Sequence, residues 1–154
     1  MRTRIPAAEL PGLAGRSLPP SSWLEITQAR INEFADATND HQFIHVSRLR
    51  AAFTPFRKPI AHGFLSLSLM TYLNQEHAVL PEKLKMVINY GSDKVRFLAP
   101  VKVGQRIRSH QTIISVTEKH PGQWLVKNEV SVEIEGVDKP ALIAEMLALL
   151  VVGE

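Results

Sequence analysis

One stretch narrows the possible folds of this 154-residue chain more than any other. From Gly63 to about His77 the periodicity predicts a helix, and Phe64, Leu65, Leu67, Leu69, Met70, Tyr72 and Leu73 place apolar side chains nearly all round it. Only Ser66, Ser68 and Thr71 interrupt them as far as Leu73. A helix that is apolar on every side has no face to give to water, so other parts of the chain must enclose it.

The second half of the chain supplies the enclosure. Lys85–Leu98, Arg106–Glu118, Trp124–Ile134 and Ala141–Val152 read as strands, separated by Pro100 to Gly104, Pro121-Gly122 and Gly136 to Pro140. Alternation is plain in Val130, Val132 and Ile134. Through Ile107, Thr112, Ile114 and Val116 it holds only with a slip, which predicts a bulge. Ala141 to Leu147 has helical propensity, but hairpin spacing and the terminal Leu150-Val151-Val152 favour a strand. The expected class is α+β: a long central helix wrapped by a curved antiparallel sheet.

Ahead of that helix the local signals are shorter. Trp23–Ile26 predicts a brief strand, and Thr27 an N-cap for a helix to about Thr38 with Ile31, Phe34 and Ala35 on one face. Asn39-Asp40 reads as a stop and turn. Ser47 caps a short helix through Ala51 and Ala52, and the prolines at 55 and 59 make 54–59 a loop. Residues 1–22 hold four of the ten prolines and predict an extended lead-in, leaving 23–154 as a single domain.

Composition removes several function classes. The chain has no cysteine, which excludes disulfides, thiolate catalysis and zinc-ribbon sites. Of the net charge of +3, Arg2, Arg4 and Arg16 against Glu9 put +2 in residues 1–22, so the remainder carries +1. No clustered basic face with interleaved aromatics is visible, so no nucleic-acid partner is expected. No apolar run reaches the roughly 18 residues of a membrane span. Pro6, Glu9, Pro11, Pro19 and Pro20 break up any secretory apolar segment. A cytoplasmic protein without a membrane partner is the expectation.

The residues able to do chemistry gather between 40 and 63. Asp40 and His45 lie five apart in a segment with loop character, and Gly63 opens the apolar helix. A carboxylate and a neutral imidazole can together hold one water and move its protons, while a helix start offers N–H donors to a substrate oxygen. These are the parts needed to add water to a polarised double bond or remove it. His41, His45 and His62 beside Asp40 also raise a metal site, but their spacing matches no helical ligand pair. No metal is expected, and His62 is read as a structural donor beneath the loop.

Three blocks carry a family resemblance: Asp40-His41-Gln42-Phe43-Ile44-His45 with Ala51 and Ala52 downstream, then Lys58-Pro59-Ile60-Ala61-His62-Gly63-Phe64-Leu65, then Tyr90 to Val101 followed by Gly104. In this order they resemble the MaoC-like dehydratases, the (R)-specific enoyl-CoA hydratases of the hot-dog fold, and in particular the nodulation protein N-like branch. Gln42 stands where the family pattern has Asn and Phe43 where it has Pro, a departure similar to that branch. The resemblance implies a hot-dog domain over 23–154 that interconverts trans-2-enoyl-CoA and (3R)-3-hydroxyacyl-CoA. Asp40 and His45 would be catalytic, the Gly63 N–H would face the thioester oxygen, and Gln42 would support the loop or the water. No cofactor is implied, since coenzyme A is part of the substrate, and the acyl carrier is either coenzyme A or a carrier protein. Arg57-Lys58 or Lys94 and Arg96 would meet coenzyme A phosphates; the same pairs fit a solvated loop and a solvated strand edge. A homodimer is expected, because one sheet curled round one helix leaves an edge open. The competing readings are a hot-dog acyl-CoA thioesterase and a non-catalytic acyl-CoA-binding protein.

Overall fold

The computed structural model describes residues 2–153. In chain order it holds β1 (Thr3–Ile5), a 3-10 helix (Ala7–Leu13), β2 (Leu24–Glu25), α1 (Gln28–Thr38), α2 (Phe43–Val46), α3 (Arg48–Ala51), α4 (Gly63–Ser68), α5 (Met70–Asn74), β3 (Val79–Pro81), β4 (Leu84–Phe97), β5 (Arg106–His120), β6 (Gln123–Ile134) and β7 (Val137–Val152). Five strands form one antiparallel sheet in the order β2-β5-β6-β7-β4. The expected α+β arrangement of a curled sheet on a central helical segment is what the chain adopts. Among the described residues no helix is long and apolar enough to cross a membrane.

Local signals set most boundaries. The Thr27 hydroxyl accepts the Arg30 N–H at the start of α1, and Asn39 closes that helix in the left-handed conformation at φ 58°. The Ser47 side chain accepts the Arg50 N–H and starts α3. The segment with helical propensity at 141–147 lies within β7, paired on one side with β6 and on the other with β4. Between two partners its backbone groups are all used by the ladder, which outweighs the weak preference of Ala, Leu and Met for helix. The slip in β5 is also present: its register against β6 shifts between Ile113 and Ser115. Upstream of it Ile107, Ser109, Gln111 and Ile113 are the inward positions.

The main core lies between the helices and the concave face of the sheet. Ile31 of α1, Leu65 of α4 and Met70 and Leu73 of α5 meet Ile107, Val130, Val132, Leu142 and Ala144. The apolar helical segment differs from expectation in two ways. It is two short helices meeting at Leu69, and it stops at Asn74. Backbone bonds from Leu69 N–H to Leu65 O and Leu73 N–H to Leu69 O carry the spiral across the break. Nor is it enclosed all round: Phe64 is 67% exposed and Tyr72 65%. The sheet covers one side of the helical segment and leaves the stripe Phe64, Ser68, Tyr72 exposed, with the Phe64 ring at the sheet margin 5.6 Å from Phe97 of β4. Edge strand β4 is bare in the same manner, with Met86, Val87, Ile88 and Tyr90 exposed and one side unpaired.

The N-terminal segment is built up where an extended lead-in was expected. β1 pairs in parallel with β3, and a bridge joins Ser17 to Thr112. A 3-10 helix has three residues per turn, so Ala7, Leu10 and Leu13 fall on one edge. Leu10 and Leu13 are buried there in a second cluster with Ile113, Val126 and Leu150. Proline hid this, because Pro6 and Pro11 are tolerated in a short helix of this kind but argue against a longer one. Replacing Leu10, which is 0% exposed, by Ala is expected to cost about 2–5 kcal/mol in chemical denaturation. A cost near zero would mean that the segment does not dock.

Candidate active site

The loop after α1 is anchored by backbone bonds before any chemistry enters. The Asp40 carboxylate accepts the Gln42 N–H at 3.4 Å, and the Gln42 carbonyl accepts the His45 N–H at 2.9 Å. This turn starts α2, so His45 stands on a single helical turn where loop was expected. The Gln28 side chain reaches across from α1 and donates to the His45 carbonyl at 2.9 Å. No hydrogen bond holds the Gln42 side chain among the described residues, and its contribution to the turn comes from its backbone.

His45 is 7% exposed and its ring is fixed by one bond: Nδ1 donates to the Ile60 carbonyl at 2.7 Å. A carbonyl can only accept, so the proton is on Nδ1 and the Nε2 lone pair is left open in the neutral ring. Burial pulls the His45 pKa below its ordinary value of 6.5, against the Ile60 bond that raises it. His62 lowers it further and Asp40 raises it. The neutral imidazole with a bare Nε2 is therefore the form present at neutral pH.

His62, next to Gly63, braces this arrangement. Its ring stacks on His45 with centroids 3.8 Å apart and planes at 26°, and Phe34 packs on it at 5.0 Å. His62 Nε2 donates to the Asp40 backbone carbonyl at 2.9 Å, which is the structural donor role read from the sequence. Its Nδ1 is buried with no hydrogen-bond partner among the described residues. The Asp40 side chain itself is 53% exposed. One carboxylate oxygen of Asp40 and one ring nitrogen each from His45 and His62 lie within 4.8 Å of one another. Two hydrogen bonds of about 2.8 Å to one bent water span roughly that distance.

The same three residues are the set a metal could use. Two nitrogens are already donors to backbone carbonyls, which leaves each neutral ring one lone pair to offer. Ligation needs those lone pairs to converge on a point about 2.1 Å from each.

Beside His45 lies a cavity of about 290 Å³ whose wall includes Phe56, Ile60, Gly63, Ser66, Phe97 and Ala141. Gly63 N–H is in the first turn of α4, and no acceptor for it is found among the described residues. A Cβ at Gly63 would stand 2.9 Å from the Phe97 ring, so glycine is what lets that ring close on the helix start. Phe97 and Phe56 give no signal in the sequence, since each is one apolar residue in a strand or loop without a pattern of its own. Gln28 sits seventeen residues before His45 and carries no local signal either.

The charged candidates separate. Arg57 and Lys58 lie in the 54–59 loop and line a hollow with Arg48. Lys94 and Arg96 do not face Asp40 and His45. Their neighbours Val95 and Phe97 point to the helix side, which puts Lys94 and Arg96 on the outer face of the sheet. There Lys94 pairs with Glu145 at 2.9 Å. Lys127 and Lys94 together hold the Glu145 carboxyl below its usual range.

The chain has clear relatives. It is 44% identical over 147 residues to 3-hydroxyacyl-thioester dehydratase Z of Mycobacterium tuberculosis, covering 96% of this chain and 97% of the relative. It is 42% identical over 146 residues to nodulation protein N of Rhizobium meliloti, covering 94% and 91%. Its fold matches the (R)-hydratase from A. caviae involved in PHA biosynthesis with a TM-score of 0.71 at 23% identity, over 88% of this chain and 94% of that one. The fold is therefore the hot-dog fold expected from the sequence. The MaoC like domain matches residues 10–137, beginning at the buried Leu10, and the chain belongs to the MaoC-like domain family.

Proposed function

We propose that this protein is an (R)-specific hydro-lyase that interconverts a trans-2-enoyl thioester and a (3R)-3-hydroxyacyl thioester, with coenzyme A as the carrier. One observation carries the reading: a half-exposed carboxylate and an oriented neutral imidazole close enough to share one water, beside a cavity that an unpaired helix-start N–H also lines. The names of the relatives support the reaction class, a 3-hydroxyacyl-thioester dehydratase at 44% identity above all.

In the dehydrating direction His45 Nε2 takes the C2 proton and the carbonyl oxygen gains negative charge. The Gly63 N–H stabilises that oxygen, since a hydrogen bond from a helix start strengthens as charge develops. The C3 hydroxyl then leaves as water, with a proton from Asp40. In the hydrating direction every transfer reverses: Asp40 takes a proton from the attacking water and the His45 imidazolium gives one to C2. Proton count and charge balance in both directions, and neither needs a metal or a redox cofactor. Gln42 keeps the turn through its backbone.

A thioesterase would direct the carboxylate at the thioester carbon and would have no use for an imidazole set by the Ile60 carbonyl. A homodimer is part of this reading. The bare edge of β4 and the stripe of Phe64 and Tyr72 form an apolar margin that a second copy would cover.

His45→Gln keeps a side chain able to hydrogen bond and removes titration. It is expected to lower kcat/KM for crotonyl-CoA hydration about 10²–10⁴-fold while thermal unfolding stays cooperative. Turnover near that of the unaltered protein would reject the pair. The pH profile tests the same residue independently. Because burial lowers the His45 pKa, the limb of the pH profile for dehydration of 3-hydroxybutyryl-CoA that reports His45 should be centred under 6.5. An acidic limb centred above 6.5 that disappears in His45→Gln would contradict the assigned form.

A further inference from the structure

We propose that the substrate's acyl chain carries a hydroxyl group far from the thioester, and that three buried amides in a second cavity receive it. This rests on the thioester reading above and names the class of substrate for that same site. The second cavity has a volume of about 380 Å³ and lies between α5 and the sheet. Asn74 of α5, Gln111 of β5 and Asn128 of β6 all line it. Each interrupts a row that is otherwise apolar. Asn128 stands between the buried Val126 and Val130, and Gln111 takes an inward position beside the buried Ile113. Asn74 follows Met70 by one helical turn, and Met70 is buried in the main core.

Two of these amides are unsatisfied. Asn74 Oδ1 and Asn128 Oδ1 are buried and have no hydrogen-bond partner among the described residues. The third is spent on structure: Gln111 Nε2 donates to the Asn74 backbone carbonyl at 3.1 Å and ties β5 to the end of α5. A buried amide oxygen without a donor costs stability, whereas an apolar side chain in its place leaves nothing unpaired. Residues that break a local rule at the expense of stability mark places where a ligand is to be met. A hydroxyl both donates and accepts, so it can serve two amides at once. The cations at this cavity do not ask for an anion. Arg2 is held by Gln75, and Arg4 donates to the Pro81 carbonyl at 2.8 Å.

The cavity is placed to receive a chain from the catalytic pair. The helical segment, β4 and β7 bound both cavities, through Ser66, Phe97 and Ala141 at the catalytic one and Asn74, Asn89 and Met146 at the second. From Ser66 to Asn74 the helical rise amounts to about 12 Å. From Ala141 to Met146 a strand advances about 17 Å. An extended chain covers about 3.5 Å in three bonds, so the polar group would sit about ten to fourteen bonds beyond the reacting carbons. Length alone would be served by an apolar wall; the two unpaired oxygens are what call for a donor.

The test uses saturated acyl-CoA thioesters of about ten to eighteen carbons, each with and without a terminal hydroxyl, with binding measured by calorimetry. Being saturated and without a C3 hydroxyl, they bind without reacting. At one chain length the hydroxylated thioester should bind the unaltered protein about tenfold more tightly than the plain one, the worth of one or two neutral hydrogen bonds. Asn74→Leu and Asn128→Leu should each abolish that preference and raise the melting temperature, because each removes an unpaired buried oxygen. The proposal is overturned if plain and hydroxylated chains bind equally at every length, or if the preference survives both substitutions. A lower melting temperature in both variants overturns it as well, since the amides would then serve folding. So does a terminal carboxylate that binds more tightly than the hydroxyl. Alkene loss from crotonyl-CoA by the unaltered protein, without any preference among the saturated thioesters, ends this proposal and leaves the hydratase reading standing. A hydroxyl preference without alkene loss does the reverse.

Discussion

The hydrogen bond from His45 Nδ1 to the Ile60 carbonyl governs more of this structure than its length of 2.7 Å would indicate. It ties α2 to the loop before α4, joining residues that are fifteen apart in the chain, and it selects the tautomer whose open nitrogen is Nε2. The same loop is anchored on its other side, where Ile60 N–H donates to the Ile44 carbonyl and Ile60 bridges to Lys102. A buried imidazole without this bond would still be neutral, since burial is the leading cause of its lowered pKa. It would be free to turn. Orientation is what the carbonyl adds.

Around that bond the two histidines divide the labour. His62 stacks on His45 and holds the Asp40 peptide, so the carboxylate and the imidazole are positioned by the same buried ring. Asp40 itself stays half exposed, where water can reach it. Gly63 completes the arrangement by being small: Phe97 closes over the helix start because no Cβ intervenes. Candidate site residues and packing residues alternate along 40–63, and the packing contacts fix where the candidates stand.

Much of this was legible in the residues. Thr27 and Ser47 mark helix starts through side-chain hydrogen bonds and Asn39 a helix end through its left-handed backbone, all of which depend on near neighbours in the chain. The four long strands could be read because alternation reports a sheet with one buried face. Other features could not be read, each for a non-local reason. The N-terminal 3-10 helix takes its stability from a sheet about a hundred residues away, through Leu10 and Leu13 on Ile113 and Val126. The outer-face position of Lys94 and Arg96 depends on which side of β4 meets the helices, and alternation alone leaves that choice open. Phe64 and Tyr72 carry the apolar character of buried residues but stay exposed at the margin of the sheet, which separates what one chain covers from what its sequence asks to have covered. Arg48 gives no signal in the sequence because its partners in the hollow come together only when α3 and the 54–59 loop fold back on each other.

The central claim is that Asp40 and His45 act on one shared water as a unit, and a double substitution tests it most directly. Rates of crotonyl-CoA hydration would be compared for Asp40→Asn, His45→Gln and the two combined. If the pair works as one device, the combined variant is no slower than the slower single one, because either change already empties the device. Losses that multiply, so that the combined variant falls by the product of the two single effects, would show two independent groups and contradict the account.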